Sequence, residues 1–330
     1  MIFPAPEFIS TNGITMAVYR AGPNPEDTDK PAVILMHGFP EIAYSWRYQI
    51  HALAQAGYPV FVPDMRGYGL TDKPEGVQEY TMEKLSGDMA GLLSFYGMSK
   101  AVFIGHDWGA LVLWSLPFYQ PDILLGCVGL NVPFMPRNPK MDPIETFKAV
   151  FGKDMYIVRF QDEGYSEAIL EADVARTMRF FMRRPKISKS VPSQKSFGGG
   201  NLDLLTHLQA DEKTWHGENW LSANEMEVYT AAFRAGGFTA PIHYYRNMAH
   251  NWRDMERFQP AGGKPEITMP CMMITAEMDA ACPPGLADGM ENHCPIYKRI
   301  NIKDCGHWSQ QEQYQNVNLS IIEWLVEHWR

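Results

Sequence analysis

The sequence has few cysteines, and their spacing suits neither a zinc site nor a redox pair. The five thiols are an odd number without a C-x-x-C pair: Cys127, Cys271, Cys282, Cys294 and Cys305. Reducing compartments keep such thiols free, so we expect unpaired cysteines and a cytoplasmic location. Because no group of Cys and His has ligand spacing, we expect neither a metal nor another cofactor.

Long apolar runs and an excess of basic residues are also missing. No run approaches the length of a membrane span. The first residues lack both the basic and the apolar segment of a signal peptide, so none is predicted. With 38 acidic and 29 basic residues the formal charge is −9, and nothing favours a nucleic acid or an anionic membrane as a partner. The sequence is compatible with a homodimer and with a monomer.

The chain does have ample apolar material, 45% of 330 residues, for an α/β core with a second, smaller lobe. Asn12-Gly13 between two strand-like segments predicts a hairpin. Continuous apolar runs at 32–36, 59–63 and 123–130 predict strands buried on both faces of a parallel sheet. Helical patterns alternate with these runs, as they do in βαβ units.

The alternation stops after residue 133. Residues 134–260 are rich in aromatics, Met and Arg, and their strongest patterns are helical. We therefore predict that residues 1–133 and 261–330 form the sheet domain and that residues 134–260 form an inserted helical cap. Residues 186–201, rich in Lys, Ser and Gly, are predicted to form a loop.

One stretch has the pattern of a nucleophile elbow, a sharp strand-to-helix turn that exposes one side chain above a sheet. Apolar residues 101–104 precede G-H-D-W-G at 105–109, and an apolar helix follows. The usual central residue is Ser, but here it is Asp107. A carboxylate is already ionised at pH 7 and attacks without a base. On an alkyl carbon it forms a stable ester, which an activated water must then cleave.

Candidates for the orienting acid and the base follow in the chain order that this kind of site requires. Asp279 comes after strand-like residues 271–275, and His307 comes after residues 300–302. Open α/β sheets place their sites where parallel strands end. A lone Asp there is as readily a helix cap, and a lone Gly-His a turn, but the elbow and the chain order favour catalysis for the set. Glu277 is the second choice for the acid.

Two backbone N–H groups are predicted to hold the oxyanion of the second step. One belongs to Trp108 at the start of the elbow helix, and the other belongs to Phe39 in the H-G-F-P segment at 37–40. Both aromatic residues should also line the substrate pocket. The alternative for this segment is a plain turn before a helix, and its X-Pro bond is compatible with a cis or a trans peptide.

Four motifs together resemble the soluble epoxide hydrolase branch of the α/β-hydrolase family. They are H-G-F-P at 37–40, R-G-Y-G at 66–69, G-H-D-W-G at 105–109 and G-H-W at 306–308. The resemblance covers nearly the whole chain. It implies an α/β-hydrolase fold, with a mostly parallel eight-stranded sheet, flanking helices and a helical cap. It also implies hydrolysis of an epoxide to a vicinal diol through an ester on Asp107, with Asp279 orienting the general base His307.

The resemblance further implies two cap tyrosines that bind the epoxide oxygen and donate a proton. Tyr245 lies in a matching Tyr-Arg-Asn segment, and Tyr156 lies shortly before the matching pair Phe160-Gln161, with different flanking residues. An alkoxide is a poor leaving group, and a tyrosine with a pKa of about 10 can protonate it at neutral pH. Tyr244 is the alternative to Tyr245, although neighbours on a helix face different directions.

Three other functions remain as alternatives. Haloalkane dehalogenases resemble the chain at Trp108 but often have Asn where this chain has Phe39. Fluoroacetate-type dehalogenases have arginines just after the nucleophile, where this chain has Trp108 and Leu111. Neither needs a tyrosine pair, so we favour hydrolysis of a small apolar epoxide. A non-catalytic binder with the same fold is the third alternative, and it would be expected to have lost part of the triad.

Overall fold

The computed structural model of the chain describes residues 2–186, 202–259 and 264–329. All but the first residue of the predicted loop 186–201 lies outside these ranges. Within them, eight strands form one sheet in the order β1-β2-β4-β3-β5-β6-β9-β10. The strands are β1 (Pro6–Thr11), β2 (Ile14–Ala21), β3 (Val33–Met36), β4 (Val60–Pro63), β5 (Ala101–His106), β6 (Leu124–Leu130), β9 (Cys271–Ala276) and β10 (Tyr297–Ile302).

The sheet is mostly parallel, which confirms the predicted fold class. The β1·β2 hairpin and the β2·β4 pair are antiparallel. The other five pairs, from β4·β3 across to β9·β10, are parallel. The carboxyl ends of β3, β5, β6 and β9 therefore meet at one edge, where ligand sites of open α/β sheets lie.

Helices cover both faces of the sheet. They are α1 (Arg47–Gln55), α2 (Met82–Phe95), α3 (Trp108–Tyr119), α12 (Ser309–Glu312) and α13 (Tyr314–His328). In β3, Val33 and Leu35 pack into an apolar cluster with Trp324 of α13, whereas Ile34 and Met36 pack into a second cluster with residues of α2 and α3. This alternation explains why the strand is apolar at every position.

The segment between β6 and β9 is mainly helical. It contains α4 (Pro143–Phe151), α5 (Tyr156–Arg159), α6 (Tyr165–Glu171), α7 (Val174–Phe181), β7 (Arg183–Arg184), α8 (Leu204–Gln209), β8 (Glu218–Asn219), α9 (Ala223–Gly236), α10 (Thr239–Arg246) and α11 (Met248–Asp254). Across the described ranges, no helix combines the length and the apolar character needed to span a membrane.

The sequence patterns of residues 166–181 and 284–290 each predict one helix, and in the structure each segment is divided in two. The pattern over residues 166–181 is two helices, because Asp173 caps α7 by accepting a hydrogen bond from the backbone of Arg176 at 2.9 Å. The pattern over residues 284–290 is two short 3-10 turns instead of a helix. They are separated by Gly289, whose φ of 88° ends a right-handed turn.

Candidate active site

Asp107 is the residue between β5 and α3, and its backbone is in an unusual conformation. Its φ of 51° and ψ of −117° are the mark of a sharp turn. The turn is possible because the flanking glycines permit close backbone approach. A Cβ on Gly105 would overlap the backbone of Gly109, and a Cβ on Gly109 would overlap the carbonyl group of Met36. The elbow thus raises the Asp107 side chain at the carboxyl end of β5.

The two carboxylate oxygens of Asp107 have different surroundings. Oδ1 accepts a hydrogen bond from the Phe39 N–H at 2.8 Å. Oδ2 lies 3.6 Å from Nε2 of His307. The Phe39–Pro40 peptide bond is cis. Gly38, which precedes it, has no room for a side chain because a Cβ there would overlap the Asp107 carboxylate.

His307 contacts a second carboxylate through its other ring nitrogen. Nδ1 lies 2.8 Å from Oδ2 of Asp279, a fully buried residue. Burial alone would raise the pKa of Asp279, but the charge of His307 and hydrogen bonds lower it to about 2. An ionised carboxylate only accepts, so Nδ1 carries the proton. Glu277, the second choice for the acid, is exposed and accepts a hydrogen bond from the Asp304 N–H instead.

The protonation of His307 depends on both carboxylates. Burial by itself would lower the pKa of this histidine. The charge of Asp279 and the interaction with Asp107 outweigh burial and raise the pKa well above its ordinary value of 6.5. While both carboxylates are ionised, the imidazole is therefore charged at neutral pH. Removing the charge of Asp107 would favour the neutral imidazole, which is the form that can act as a base.

Asn131 is a site residue that sequence reasoning missed. It directly follows β6, and its Nδ2 donates to Oδ2 of Asp279 at 2.7 Å. Its own Oδ1 accepts from Ser309 Oγ at 2.6 Å. The amide thus holds the same Asp279 oxygen that accepts the hydrogen bond from Nδ1 of His307. An Asn directly after the apolar run 123–130 is the signal that could have identified it, and in the structure this residue has a φ of 66°.

A second buried His–carboxylate pair lies below the site, and it too was missed. Nδ1 of His106 is 2.7 Å from Oε2 of Glu41, and Nε2 is 2.7 Å from the carbonyl oxygen of His307. Both ring nitrogens therefore face oxygen atoms of the protein. Burial would raise the pKa of Glu41, but the charge and hydrogen bond of His106 lower it to about 2. Glu41 also accepts from the Gly38 N–H at 2.9 Å, which connects the pair to the segment that holds Asp107.

The structure brings Tyr156 and Tyr245 together above the elbow. Their ring centroids are 5.8 Å apart, and the Tyr245 ring contacts those of Trp108 and Phe39 at 4.8 and 5.3 Å. Burial raises the pKa of both tyrosines well above 10, and the charge of Asp107 raises it further. The negative charge of Asp107 therefore acts on both hydroxyl groups, and both keep their protons at neutral pH.

Tyr244 faces a different part of the molecule from Tyr245. Its buried hydroxyl donates to the carbonyl oxygen of Arg66 at 2.8 Å. Its ring contacts Tyr68 and Trp108 at their edges. The hydroxyl of Tyr244 is therefore bonded to the loop that follows β4.

Within the described residues, one cluster has three side chains that could ligate a metal. Ligand atoms of Asp279, Cys282 and His307 lie within 4.8 Å of one another. Asp279 and His307 are already joined by their hydrogen bond, and a metal would have to replace it. Asp279 and His307 therefore form a hydrogen-bonded pair in this structure.

Similarity to known proteins points to one family. The model of the alpha/beta hydrolase fold matches residues 31–314. Epoxide hydrolase A of Mycobacterium tuberculosis is 36% identical over 329 residues, which are 98% of each chain. Bifunctional epoxide hydrolase 2 of Sus scrofa is 39% identical over 298 residues, 89% of this chain and 51% of that protein. The chain thus spans about half the length of the mammalian relative.

Solved structures agree with these similarities. The crystal structure of Epoxide Hydrolase A from Mycobacterium thermoresistibile has a TM-score of 0.82 and 36% identity, with 98% of both chains covered. An epoxide hydrolase from Vigna radiata has a TM-score of 0.82 and 30% identity, covering 98% of this chain and 97% of that one. The chain is a member of the α/β-hydrolase fold family and belongs to its epoxide hydrolase branch. The resemblance inferred from the four motifs is confirmed.

Proposed function

We propose that this protein hydrolyses epoxides to vicinal diols through an ester on Asp107. The observation that carries the proposal is the tyrosine pair Tyr156 and Tyr245, whose ring centroids lie 5.8 Å apart, with the Tyr245 ring packed on Trp108, the residue after the nucleophile. An epoxide leaves as an alkoxide and needs an acid opposite the nucleophile, whereas a halide does not. The relatives named above as epoxide hydrolases support the same activity.

In the first step, Oδ2 of Asp107 attacks an epoxide carbon while the tyrosine hydroxyls bind the ring oxygen. The new bond joins Oδ2 to carbon as the carbon–oxygen bond of the ring breaks. One tyrosine gives its proton to the leaving oxygen. Because Phe39 holds Oδ1 through its N–H, Oδ2 is the oxygen that is left for attack. The aromatic residues around the tyrosines favour an apolar substrate.

In the second step, water cleaves the ester. Esterification removes the charge of Asp107, so His307 gives up a proton, which restores the tyrosine. The neutral imidazole, oriented by Asp279, then takes a proton from water as it attacks the ester carbonyl carbon. Oδ1 becomes the oxyanion, held by the N–H groups of Phe39 and Trp108. The proton on His307 passes to Oδ2 as its bond to the carboxyl carbon of Asp107 breaks, and Oδ2 leaves with the diol. The new carboxyl group of Asp107 then gives its proton to His307, which restores the charged pair.

We also propose the division of the chain into a sheet domain, residues 1–133 and 261–330, and a cap, residues 134–260. The helices between β6 and β9 carry Tyr156 at the start of α5 and Tyr245 in α10. The nucleophile, the acid and the base all follow strands of the sheet. The substrate would therefore bind between the two parts, with its oxygen towards the cap and the attacked carbon towards the sheet.

A single turnover with enzyme in excess over styrene oxide in heavy-oxygen water tests the ester. The first diol should contain no solvent oxygen, since its new oxygen comes from Asp107. The variant His307→Gln should stop after alkylation and gain the mass of the substrate, whereas Asp107→Asn should not. A first diol that carries the solvent label would overturn the covalent mechanism.

The alternative functions are separated by a parallel assay. Halide release from a haloalkane, without diol formation from styrene oxide, would favour a dehalogenase. Tight binding of an apolar epoxide without turnover of either compound would favour a non-catalytic binder. We expect diol formation, and we expect Tyr156→Phe combined with Tyr245→Phe to abolish ester formation while the protein stays folded.

A further inference from the structure

We infer that Glu312 is a positioning residue for His307, because its carboxylate accepts hydrogen bonds from the backbone N–H groups of the residues before and after that histidine. Oε2 accepts from the Gly306 N–H at 2.8 Å, and Oε1 accepts from the Trp308 N–H at 2.9 Å. The inference rests on the proposed function, in which His307 transfers protons only after the ester has formed. Glu312 does not touch the reacting atoms, so its effect must pass through the backbone of His307.

The peptide group between His307 and Trp308 is held at both of its ends. Glu312 accepts the N–H of Trp308, and on the other side Nε2 of His106 donates to the carbonyl oxygen of His307 at 2.7 Å. The ring itself is bonded to Asp279 through Nδ1. With backbone and ring both fixed, Nε2 of His307 is aimed at Asp107. Releasing the backbone would let the ring shift while the Asp279 bond persists, and shifts of about 1 Å are enough to slow catalysis strongly.

The local fold explains how Glu312 reaches both N–H groups. It is the last residue of the short helix α12, and its own N–H donates to the carbonyl oxygen of Trp308 at 2.7 Å. This turn folds the carboxylate back over residues 306–308. Gly306 is needed for the approach, because a Cβ there would lie 2.9 Å from Oε1 of Glu312 and would overlap Pro185.

The charge of Glu312 is sensitive to pH near neutrality. Burial raises its pKa to about 7, although the Gly306 and Trp308 N–H groups and the charge of His307 act in the opposite direction. Asp279 also faces it and raises the pKa, and the Cys305 thiol is a further neighbour. Protonation removes an acceptor from one of the two N–H groups. Glu312 should therefore hold both N–H groups above this pKa and only one of them below it.

The variant Glu312→Gln tests the inference, because it keeps the size of the side chain but turns an NH₂ group towards one of the two N–H donors. In rapid-mixing experiments with styrene oxide we expect the ester to form within about 3-fold of the normal rate. We expect its cleavage to slow by about 10- to 100-fold, so that the ester accumulates and is detected by mass spectrometry. Equal slowing of both steps, or no change in either, would overturn the positioning role.

Two further variants keep this result interpretable. Glu312→Asp keeps the charge but is too short to reach both N–H groups, and we expect it to slow ester cleavage less than Glu312→Gln does. If Glu312→Gln does not fold, Glu312→Asp must still slow ester cleavage selectively, or the inference is wrong. Glu323→Gln removes the same charge from the exposed face of α13 and should leave both steps unchanged.

The pH profile gives a readout that a merely structural role would not change. In both proteins the rate of ester cleavage falls when the base His307 becomes protonated, but only the unmodified protein should show the additional fall through about pH 7 that comes from protonation of Glu312. An identical profile in both proteins would overturn the inference. The variant His307→Gln separates this failure from failure of the proposed function. If it forms no ester, the covalent mechanism itself is wrong.

Discussion

At the scale of the residue, the orientation of Asp107 depends on one backbone N–H group. Phe39 donates to Oδ1, and Gly38 leaves the space that the carboxylate fills. Phe39, Asp107 and His307 could be proposed from the sequence because each belongs to a short local motif. Asp279 could be proposed because it follows a strand-like run in the required chain order.

The residues that support them could not be found in the same way. His106 bonds a carboxylate 65 positions away and a carbonyl group 201 positions away. Such pairs are set by the packing of strands that are distant in the chain, and no local spacing encodes them. Glu41, Asn131 and Glu312 were missed for this reason, although Glu41 and Glu312 each lie within four residues of a recognised motif.

Substitution of Gly38 by Ala should abolish activity without unfolding the protein. The new Cβ would overlap the Asp107 side chain and displace the carboxylate from the Phe39 N–H. We expect kcat for diol formation to fall by at least about 100-fold, with a circular dichroism spectrum like that of the unmodified protein. An active Gly38→Ala variant would show that the carboxylate does not need this position.

The Glu41–His106 pair predicts how stability depends on pH. The pKa of Glu41 is about 2 in the folded protein, below its ordinary value of 4.5. Its contribution to the free energy of unfolding is therefore complete above pH 4.5 and is lost as the pH falls towards 2. Glu41→Gln removes the charged acceptor of a buried hydrogen bond from His106, and it should lower that free energy by about 1–3 kcal/mol at pH 7.

Urea titrations at several pH values would measure this effect. The difference between the unmodified protein and Glu41→Gln should shrink below pH 4.5. Glu256→Gln, whose side chain is 73% exposed, is the matched control and should have little effect at any pH. A difference that stays constant down to the lowest pH at which both proteins fold would contradict the assignment.

At the scale of the element, helix α10 carries two adjacent tyrosines with separate tasks. Neighbouring positions on a helix face about 100° apart, so Tyr244 reaches the Arg66 carbonyl group while Tyr245 packs on Phe39 and Trp108. The sequence predicted that the two would face different directions, but it could not predict what Tyr244 contacts. That contact depends on how α10 is placed on the loop after β4, which is a matter of tertiary packing.

Matched substitutions on α10 should separate stability from activity. Tyr244→Phe leaves the Arg66 carbonyl oxygen buried without its donor, and we expect the free energy of unfolding to fall by about 1–3 kcal/mol with kcat little changed. Tyr245→Phe removes a proton donor and should lower the rate of ester formation by about 10- to 100-fold, with little loss of stability. Denaturant titration and single-turnover kinetics on both variants are the measurements, and the reverse pattern would exchange the two assignments.

At the scale of the whole molecule, polar contacts join the segment between β6 and β9 to the sheet. The buried hydroxyl of Tyr229 in α9 donates to Oε1 of Gln311 at 2.9 Å, and Nε2 of Gln311 donates to Glu41 at 3.1 Å. Arg47 in α1 also donates to Glu225 in α9 at 3.0 Å. These contacts connect the helical segment to the same network that supports His307.

We expect the two parts of the molecule to unfold together. Thermal unfolding followed by far-ultraviolet circular dichroism and by residual diol formation should give one coincident transition. Tyr229→Phe should lower the midpoint of both signals equally. Loss of activity several degrees below the loss of helical signal would instead indicate that the helical segment separates first.

The unequal surroundings of the two Asp107 oxygens determine how much solvent oxygen the diol contains in the first and second turnovers. Under the proposed mechanism, Oδ2 leaves with each diol and the solvent replaces it. Since Oδ1 remains bound to the Phe39 N–H, the carboxylate would not rotate to exchange its two oxygens between cycles. In heavy-oxygen water the first diol would then be unlabelled and the second fully labelled. If only half of the second diols carried the label, the carboxylate would have rotated. Without that rotation, the oxygen that solvent supplied in one turnover would be the oxygen that the next diol carries away.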